Sequence, residues 1–335
     1  MVGGAGFIGS NAAARCLRRG DKVVILDNLS KRGAQENLEW LCSLGPLQHV
    51  LADVRDADAV EKFFADNQDA ALVLHLAGQV AVTRSLANPR EDFEANALGT
   101  LNVLEAMRRT SHDASLIFSS TNKVYGSMED LSISEGHDRY SYGDLEFGIA
   151  EDRGLDFHSP YGCSKGAADQ YVRDYCRIYG LKTVVFRQSC IYGPRQFGVE
   201  DQGWVAWFTI AAQLGRPITL YGDGKQVRDV LYIDDLLDAF DAAHDRIDDI
   251  AGRIYNIGGG CENTLSLREL LGFLEKRSGK KIAVIRDTWR SGDQKVYVSD
   301  IRRAYSELGW KPRTAFEDGL EKLYQWVETY KGDFA

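Results

Sequence analysis

A chain of 335 residues with 44% hydrophobic, 10% aromatic and 27% charged residues has the composition of a soluble globular enzyme of one or two domains and excludes disordered, collagenous and low-complexity scaffolds. Forty Lys plus Arg against 49 Asp plus Glu give a net charge of -9, so no overall positive field exists to hold a nucleic-acid backbone, while a local basic pocket for a phosphate stays compatible with it. No apolar run approaches the roughly 20 residues of a membrane span, and no charged-then-apolar leader opens the chain, so a cytoplasmic protein without a membrane partner is expected.

The chain opens Val2-Gly3-Gly4-Ala5-Gly6-Phe7-Ile8-Gly9-Ser10, with Gly3, Gly6 and Gly9 at G-x-x-G-x-x-G spacing just before a helix over residues 10–19. Glycines permit a tight turn and let a pyrophosphate approach the helix amino end, where free N–H groups and the dipole favour anions. Only Met1 and Val2 precede them, against a mean strand length of about 5 to 6 residues. The first strand is therefore expected to be short, and the sheet weaker if nothing lies upstream. The next strand, residues 22–27, ends on Asp27, where a carboxylate suits an adenosine ribose and would repel a 2′-phosphate, favouring NAD over NADP. Lys31 and Arg32 blunt that preference, and Asp27 could instead cap the turn formed with Asn28 and Ser30.

A helix is expected over residues 57–67, a strand over 71–76, a long helix over 89–109 and a strand over 114–119. A helix over 161–179 and a strand over 182–187 follow. The strands are short, β-branched-rich and apolar, as in a parallel sheet buried on both faces. Repeated β-α-β units imply an α/β fold of the Rossmann type: a doubly wound parallel sheet with ligand chemistry at the carboxyl ends of its strands. From about Gln188 the chain is richer in Trp, Gly and loops, then returns to helices over 234–245 and 267–279. The expected organisation is an NAD-binding domain over 1–187, to which 230–257 returns, and a smaller substrate-binding domain over 188–335.

Tyr161 and Lys165 stand four apart, on one helical face with β-carbons roughly 5–6 Å apart. A phenol of pKa about 10 beside an ammonium and a positively charged nicotinamide becomes a usable general base, and Thr121 could hold the substrate hydroxyl next to it. Such a pair alone is more often just a helix face. The six cysteines are scattered, with no C-x-x-C pair and no His at zinc-ligand spacing, so reduced thiols and no metal are expected. Trp204, Trp207 and Phe208 have helix-like spacing and read as core, and His75 and His158 as structural histidines.

Together with the glycine loop, Asp27, the strand end His75-Leu76-Ala77-Gly78 and Asn96, the Thr121, Tyr161 and Lys165 set resembles the extended short-chain dehydrogenase/reductase family over nearly the whole chain. The resemblance implies hydride chemistry on nucleotide sugars with tightly held NAD. It assigns to the cofactor Gly3, Gly6, Phe7, Ile8, Gly9, Asp27, Asn28, Ser30, Arg32, Asp53, Val54, Leu76, Ala77, Gly78, Gln79, Asn96, Ser119, Tyr161 and Lys165. Family dehydratases have an Asp-Glu pair after the catalytic Thr, whereas this chain has Asn122 and Lys123, so dehydration is not expected. The runs from Ser120 to Gly126, Tyr161 to Tyr171, Arg187 to Gly193 and Asp201 to Phe208 look like the branch that epimerises C2 of CDP-hexoses, of the CDP-paratose/CDP-tyvelose or CDP-glucose/CDP-mannose type. That implies oxidation at C2, rotation of the ketone and hydride return to the opposite face. Substrate contacts are expected from Thr83, Asn122, Lys123, Gln188, Ser189, Cys190, Gln196, Trp204, Tyr221, Gln226, Arg228, Arg290 and Asp293. Arg228 and Arg290 are the candidates for the diphosphate, because a planar guanidinium fork pairs with phosphate oxygens; in the segments Gly224 to Val230 and Arg290-Ser291-Gly292-Asp293 a surface ion pair with Asp229 or Asp293 is the alternative. UDP-hexose 4-epimerisation is the second enzymatic reading; Cys190 bears on it because family 4-epimerases typically carry Asn there. A non-catalytic NAD-sensing protein is the third. A homodimer through the helices over 89–109 and 161–179 is expected.

Overall fold

A computed structural model describes residues 1–110, 113–290 and 292–334. Helix α1 (Phe7–Arg19) follows the glycine loop and leads to strand β1 (Val24–Asp27), α2 (Ala34–Leu44), β2 (Gln48–Leu51), α3 (Ala57–Ala65) and β3 (Leu72–His75). Next come α4 (Val82–Ala87), α5 (Pro89–Phe93), a π-helical turn Glu94–Leu98, α6 (Gly99–Arg109) and β4 (Ser115–Thr121). The expected single helix over 89–109 is thus split by a widened turn. Neither α2 nor β2 was legible from pattern: β2 reads Gln-His-Val-Leu with both ends exposed, and so lacks the apolar run that marks a buried strand.

The main sheet runs β2-β1, then β3-β4, continued by β7 (Thr183–Gln188) and β11 (Ile254–Ile257), all parallel. Val2 closes the gap between β1 and β3 through parallel bridges to Leu26 and His75. Its carbonyl accepts from Leu76 N at 2.8 Å and Ala77 N at 2.9 Å, so a single residue serves as the central strand that carries the glycine loop. The order reverses there, which is the topological switch point where doubly wound sheets bind ligands. Alternating residues of β4 and β7 feed two cores: Ile117, Val184 and Phe186 on one face, Leu116, Phe118 and Val185 on the other. Each fully buried Val, Leu or Phe there contributes about 1.5–3 kcal/mol.

Between β4 and the 21-residue helix α7 (Ser159–Tyr179) lies an insert with a hairpin, β5 (Ile133–Glu135) and β6 (Tyr140–Tyr142). The chain then adds β8 (Cys190–Tyr192), α8 (Trp204–Leu214), β9 (Ile218–Tyr221), β10 (Val227–Tyr232), α9 (Ile233–Asp245) and α10 (Ile247–Ile250) before β11. Afterwards come β12 (Thr264–Ser266), α11 (Leu267–Ser278), β13 (Val284–Asp287), β14 (Val296–Tyr297), α12 (Arg302–Leu308) and α13 (Phe316–Thr329). Strand β10 pairs with β8, β12 and β14 in a smaller mixed sheet, and β9 pairs with β13. Helix α9 packs under β4, and Phe240 stacks on Phe186 with centroids 5.7 Å apart. The insert is tied down where Asn256 on β11 donates from its backbone to Glu151 at 2.8 Å and from its amide to the Ile149 carbonyl at 2.7 Å. Among the described residues no helix is long and apolar enough to cross a membrane, no group of three His, Cys, Asp or Glu side chains could hold a metal, and all six cysteines are free.

Candidate active site

The glycine loop is shaped by contacts that a side chain would break. Gly3 sits at φ +84°, and a Cβ there would lie 2.4 Å from Ala77 N; a Cβ on Gly9 would lie 2.4 Å from the Gly3 carbonyl. Gly6, by contrast, faces space, with nothing nearer than 3.5 Å to an added Cβ. No side chain caps α1 and its first turn holds no acidic residue, so its amino end is available to an anion. Asp27, nearly buried at the end of β1, accepts from Ala5 N at 2.9 Å and Leu29 N at 2.8 Å. It therefore both fixes the loop and keeps the second lone pair of each oxygen for a ribose hydroxyl. These features fit a dinucleotide such as NAD.

The neighbouring calls divide. Asn28 donates to Asp53 at 2.8 Å and accepts from Ser30 N at 3.1 Å. Asp53 is clamped by Arg55 through two side-chain hydrogen bonds, which hold its carboxyl down at about 2, and it acts first as the partner of Arg55. Arg32 and Ser30 are exposed, and Val54 is packed under Gly99. Gln79 turns its amide inward to Asp92 at 2.7 Å and to the Ala81 carbonyl at 2.8 Å, so that only its backbone, held by the Asn96 side chain at 2.9 Å, stays in line with the loop after β3. A cofactor contact from Gln79 would accordingly come from its backbone rather than its side chain.

Thr121, Tyr161 and Lys165 are brought together, all nearly buried. Thr121 ends β4 and accepts from Lys123 N at 3.2 Å. Lys165 Nζ donates to the Ser119 carbonyl at 2.5 Å and lies 4.2 Å from the centre of the Phe118 ring. Burial pushes the Tyr161 phenol up to about 12 against a hydrogen bond from Thr121 that favours its anion, and burial pushes Lys165 down to about 7. Desolvation disfavours both charged forms, so the pair awaits positive charge in the site before the phenolate forms readily. His75 is buried, bonded to Thr100 at 2.9 Å and held neutral by burial, its pKa pushed down to about 3.

Past Thr121, Asn122 and Lys123 start a short 3₁₀ turn. Lys123 Nζ donates to the Gly292 carbonyl at 3.2 Å, and burial, aided by Arg228, pushes its ammonium down to about 8. Arg228 on β10 pairs with Asp293 at 2.7 Å. Lys123, Cys190 and Arg228 lie close enough for their charges to act on one another. The Cys190 thiol, raised by burial, accepts from the Trp204 indole at 3.4 Å. Gln188, Gln196 and Gln226 each leave one buried amide atom without a protein partner: Gln188 Nε2, Gln196 Oε1 and Gln226 Oε1. Buried polar atoms are almost always satisfied, so each of these three has hydrogen-bonding capacity left for a ligand or water, as do, among the described residues, eight further buried side-chain atoms elsewhere, one each of Asn37, Arg173 and Trp326 included. Tyr221 bonds Glu200 at 2.9 Å, with Arg290 3.7 Å above its ring. Arg290 itself is paired at 3.0 Å with Asp201, neither of the two acidic residues expected as partners, while Asp293 goes to Arg228; Ser291 of that loop lies outside the described residues. Ser189 departs from its expected role: its hydroxyl donates into the buried Asp229 carboxylate and its amide to the Ile257 carbonyl at 3.0 Å, so it braces the seam between β8 and β10. Thr83 lies half-buried on α4.

Two groups escaped the sequence reading. Asp92 is fully buried beside Ser164, and the Arg187–Asp169 ion pair is buried behind Thr121. Buried charges so close to a catalytic pair could have been suspected only from acidic residues on otherwise core-facing helix positions.

A doubly wound sheet carrying a glycine loop, a terminal Asp and a buried Thr, Tyr and Lys set defines an NAD-dependent enzyme acting on nucleotide sugars. The model of the NAD dependent epimerase/dehydratase family matches residues 1–258, and the chain belongs to that family, as an enzyme of the nucleotide-sugar epimerase type. It is 45% identical over 334 residues to CDP-paratose 2-epimerase of Salmonella typhi, covering 98% of each chain. Among solved structures it is similar to UDP-glucose 4-epimerase of Thermotoga maritima with UDP-glucose, at 29% identity and TM-score 0.83, covering 98% of this chain and 97% of that one. UDP-glucose 4-epimerase of Thermus thermophilus in complex with NAD gives 33% identity and TM-score 0.81, covering 98% of each.

Proposed function

We propose that this protein is a 2-epimerase of CDP-hexoses, of the CDP-paratose/CDP-tyvelose or CDP-glucose/CDP-mannose type. The observation that carries the reading is the pair of residues beside the catalytic Thr121: an amide and an ammonium, Asn122 and Lys123, stand there, with the Cys190 thiol near enough to act on the ammonium. Elimination of water needs a carboxylic acid and a carboxylate in that place, and neither Asn122 nor Lys123 supplies one. The 45% identity to a CDP-paratose 2-epimerase supports the choice of sugar carbon and nucleotide.

In this reading the glycine loop and Asp27 would hold NAD, which would supply reversible hydride transfer at C2. Tyr161 takes the C2 hydroxyl proton and later gives it back, Thr121 holds the oxygen, and Lys165 keeps the phenolate stable. Arg228 and Lys123 bind the diphosphate; Arg228 would exchange Asp293 for phosphate oxygens of the same charge sign. Cofactor contacts follow the loop geometry: the amides after Gly6, Asp27 on the ribose, and the backbone from Leu76 to Gly78. A homodimer through α5, α6 and α7 is part of the proposal, because Phe93, Leu98, Tyr171, Ile178 and Tyr179 are exposed there.

The test is nuclear magnetic resonance of CDP-glucose incubated with the protein in D2O without added NAD. Inversion at C2 without deuterium gain is the expected result. Deuterium at C2 would replace hydride return with deprotonation beside a carbonyl. Inversion at C4 of UDP-glucose, with CDP-glucose inert, would establish the competing reading.

A further inference from the structure

Asp92, on the short helix α5, is wholly buried yet has no cation within salt-bridge distance among the described residues. Three neutral donors hold it instead. Ser164 Oγ donates to one carboxylate oxygen at 2.5 Å, while Gln79 Nε2 at 2.7 Å and Asn96 Nδ2 at 3.2 Å donate to the other. Asn96 Nδ2 also donates to Ser164 Oγ at 3.0 Å, and its carbonyl receives Gln79 N. The widened turn Glu94–Leu98 places Asn96 in this cluster, as π-helical turns often do at functional sites. A buried, unpaired carboxylate is costly, and the hydrogen bonds alone do not explain a charge where an amide would fit.

We propose that Asp92 is a positioning residue for the Tyr161 and Lys165 pair: its carboxylate anchors through Ser164 the turn of α7 that carries both groups, and places a buried acidic group beside them. The inference rests on the catalytic reading given above. Ser164 precedes Lys165 directly, and its oxygen also lies 3.2 Å from the Tyr161 carbonyl, so the anchor acts on the turn that carries both groups. The charged and titratable groups acting on Lys165 are Asp169 from its own helix and then Asp92 from α5, with His75 from β3 also within reach of its charge; those acting on Tyr161 are Thr121 and then Asp92. His75 is neutral, and Asp169 is already paired with Arg187, which leaves Asp92 as the carboxylate without a cationic partner among the described residues. Its charge favours the Lys165 ammonium and opposes the Tyr161 phenolate, raising both groups.

The decisive variant is Asp92→Asn in the NAD-loaded enzyme, with Tyr161→Phe and Ser164→Ala alongside. Removing the charge lowers both titrations, so the whole pH profile of kcat with CDP-glucose moves to the acid side by about 0.5–1 pH unit. Ultraviolet titration of the Tyr161 phenolate, read as the difference from the same protein carrying Tyr161→Phe, shifts the same way without any substrate. Ser164→Ala keeps the carboxylate: kcat falls several-fold with the profile in place. A profile and a phenolate titration that superimpose on the parent overturn the assignment, and so does an unchanged kcat in Ser164→Ala, which stands as the test if Asp92→Asn does not fold. Tyr161→Phe separates the two ideas. If it retains NAD and loses turnover while Asp92→Asn shifts nothing, only the Asp92 assignment fails; if it turns over normally, both fail.

Discussion

Replacing Arg187 by methionine tests the reasoning about buried charge most severely. Arg187 Nε and Nη2 hold the two oxygens of Asp169 at 2.9 and 3.0 Å, and Nη1 donates to the Tyr125 hydroxyl at 3.0 Å. Side-chain exposure is 2% for Arg187 and 0% for Asp169, so neither charge has water to return to. Ser120, next to Thr121, donates to Asp169 at 2.8 Å, and Tyr125 donates to Asn256 at 2.8 Å, so the pair ties β4, α7, β7 and β11 together. Arg187→Met preserves most of the packed volume but strands the Asp169 carboxylate with Ser120 and Gln170 as its hydrogen-bond donors. Breaking a buried pair from one side costs about 3–5 kcal/mol, whereas replacing both partners by apolar groups of similar size is often nearly neutral. Arg187→Met combined with Asp169→Leu is therefore expected to regain at least half of the loss. Urea unfolding followed by tryptophan fluorescence at fixed NAD concentration reads the difference. A single variant within about 1 kcal/mol of the parent, or a double variant no better than the single, would refute the account.

Lys123 is pushed down to about 8 by burial and by Arg228, so its charge is lost as pH rises through that value. The KM for CDP-glucose should rise about tenfold between about pH 7 and 9.5, and Lys123→Gln should flatten the rise; an identical pH dependence in the variant would remove Lys123 from diphosphate binding. Lys165 has a folded-state pKa pushed down to about 7 by burial, below its unfolded value of about 10.4. The folded state then binds fewer protons, and this residue's contribution to stability grows as pH rises from about 7 to 10. In the cofactor-free protein Lys165→Met should accordingly be the more stable form near neutrality, its advantage shrinking toward pH 10 in a series of thermal midpoints, and midpoints that run parallel would refute this. Gly3→Ala should purify without NAD and melt lower, because its Cβ would meet Ala77 N at 2.4 Å on a backbone at φ +84°; normal cofactor content would mean that the loop and the end of β3 are not fixed against each other as described.

The fold was legible where periodicity was strong. The apolar strands β3, β4 and β7 and the helices α1, α3 and α7 lie within a few residues of their expected places. Half-exposed β2, the short strands of the insert and the widened turn Glu94–Leu98 were not, because their residues follow neither a two-residue nor a 3.6-residue period long enough to read. The short stretch before the glycine loop was anticipated, but how it fits was not: Val2 pairs with both β1 and β3, its own N–H and carbonyl bonding the β3 side and its neighbours Met1 and Gly3 bonding Leu26 on β1.

By itself the sequence determined the glycine loop, the strand-terminal Asp27 and the Tyr161 and Lys165 spacing. Each depends on neighbours within a turn or two, and local geometry fixes such relations wherever the segment ends up. Only the tertiary structure decided what surrounds them. Asp92 reaches Ser164 across 72 residues and Lys123 reaches Gly292 across 169. Tertiary packing also turned Ser189 toward Asp229 and Arg290 toward Asp201, away from the roles their sequence neighbourhood suggested. The physical reason is that a polar group, once buried, must take whichever partner the packed chain brings within about 3 Å, and that choice is made by chain crossings which no local pattern encodes.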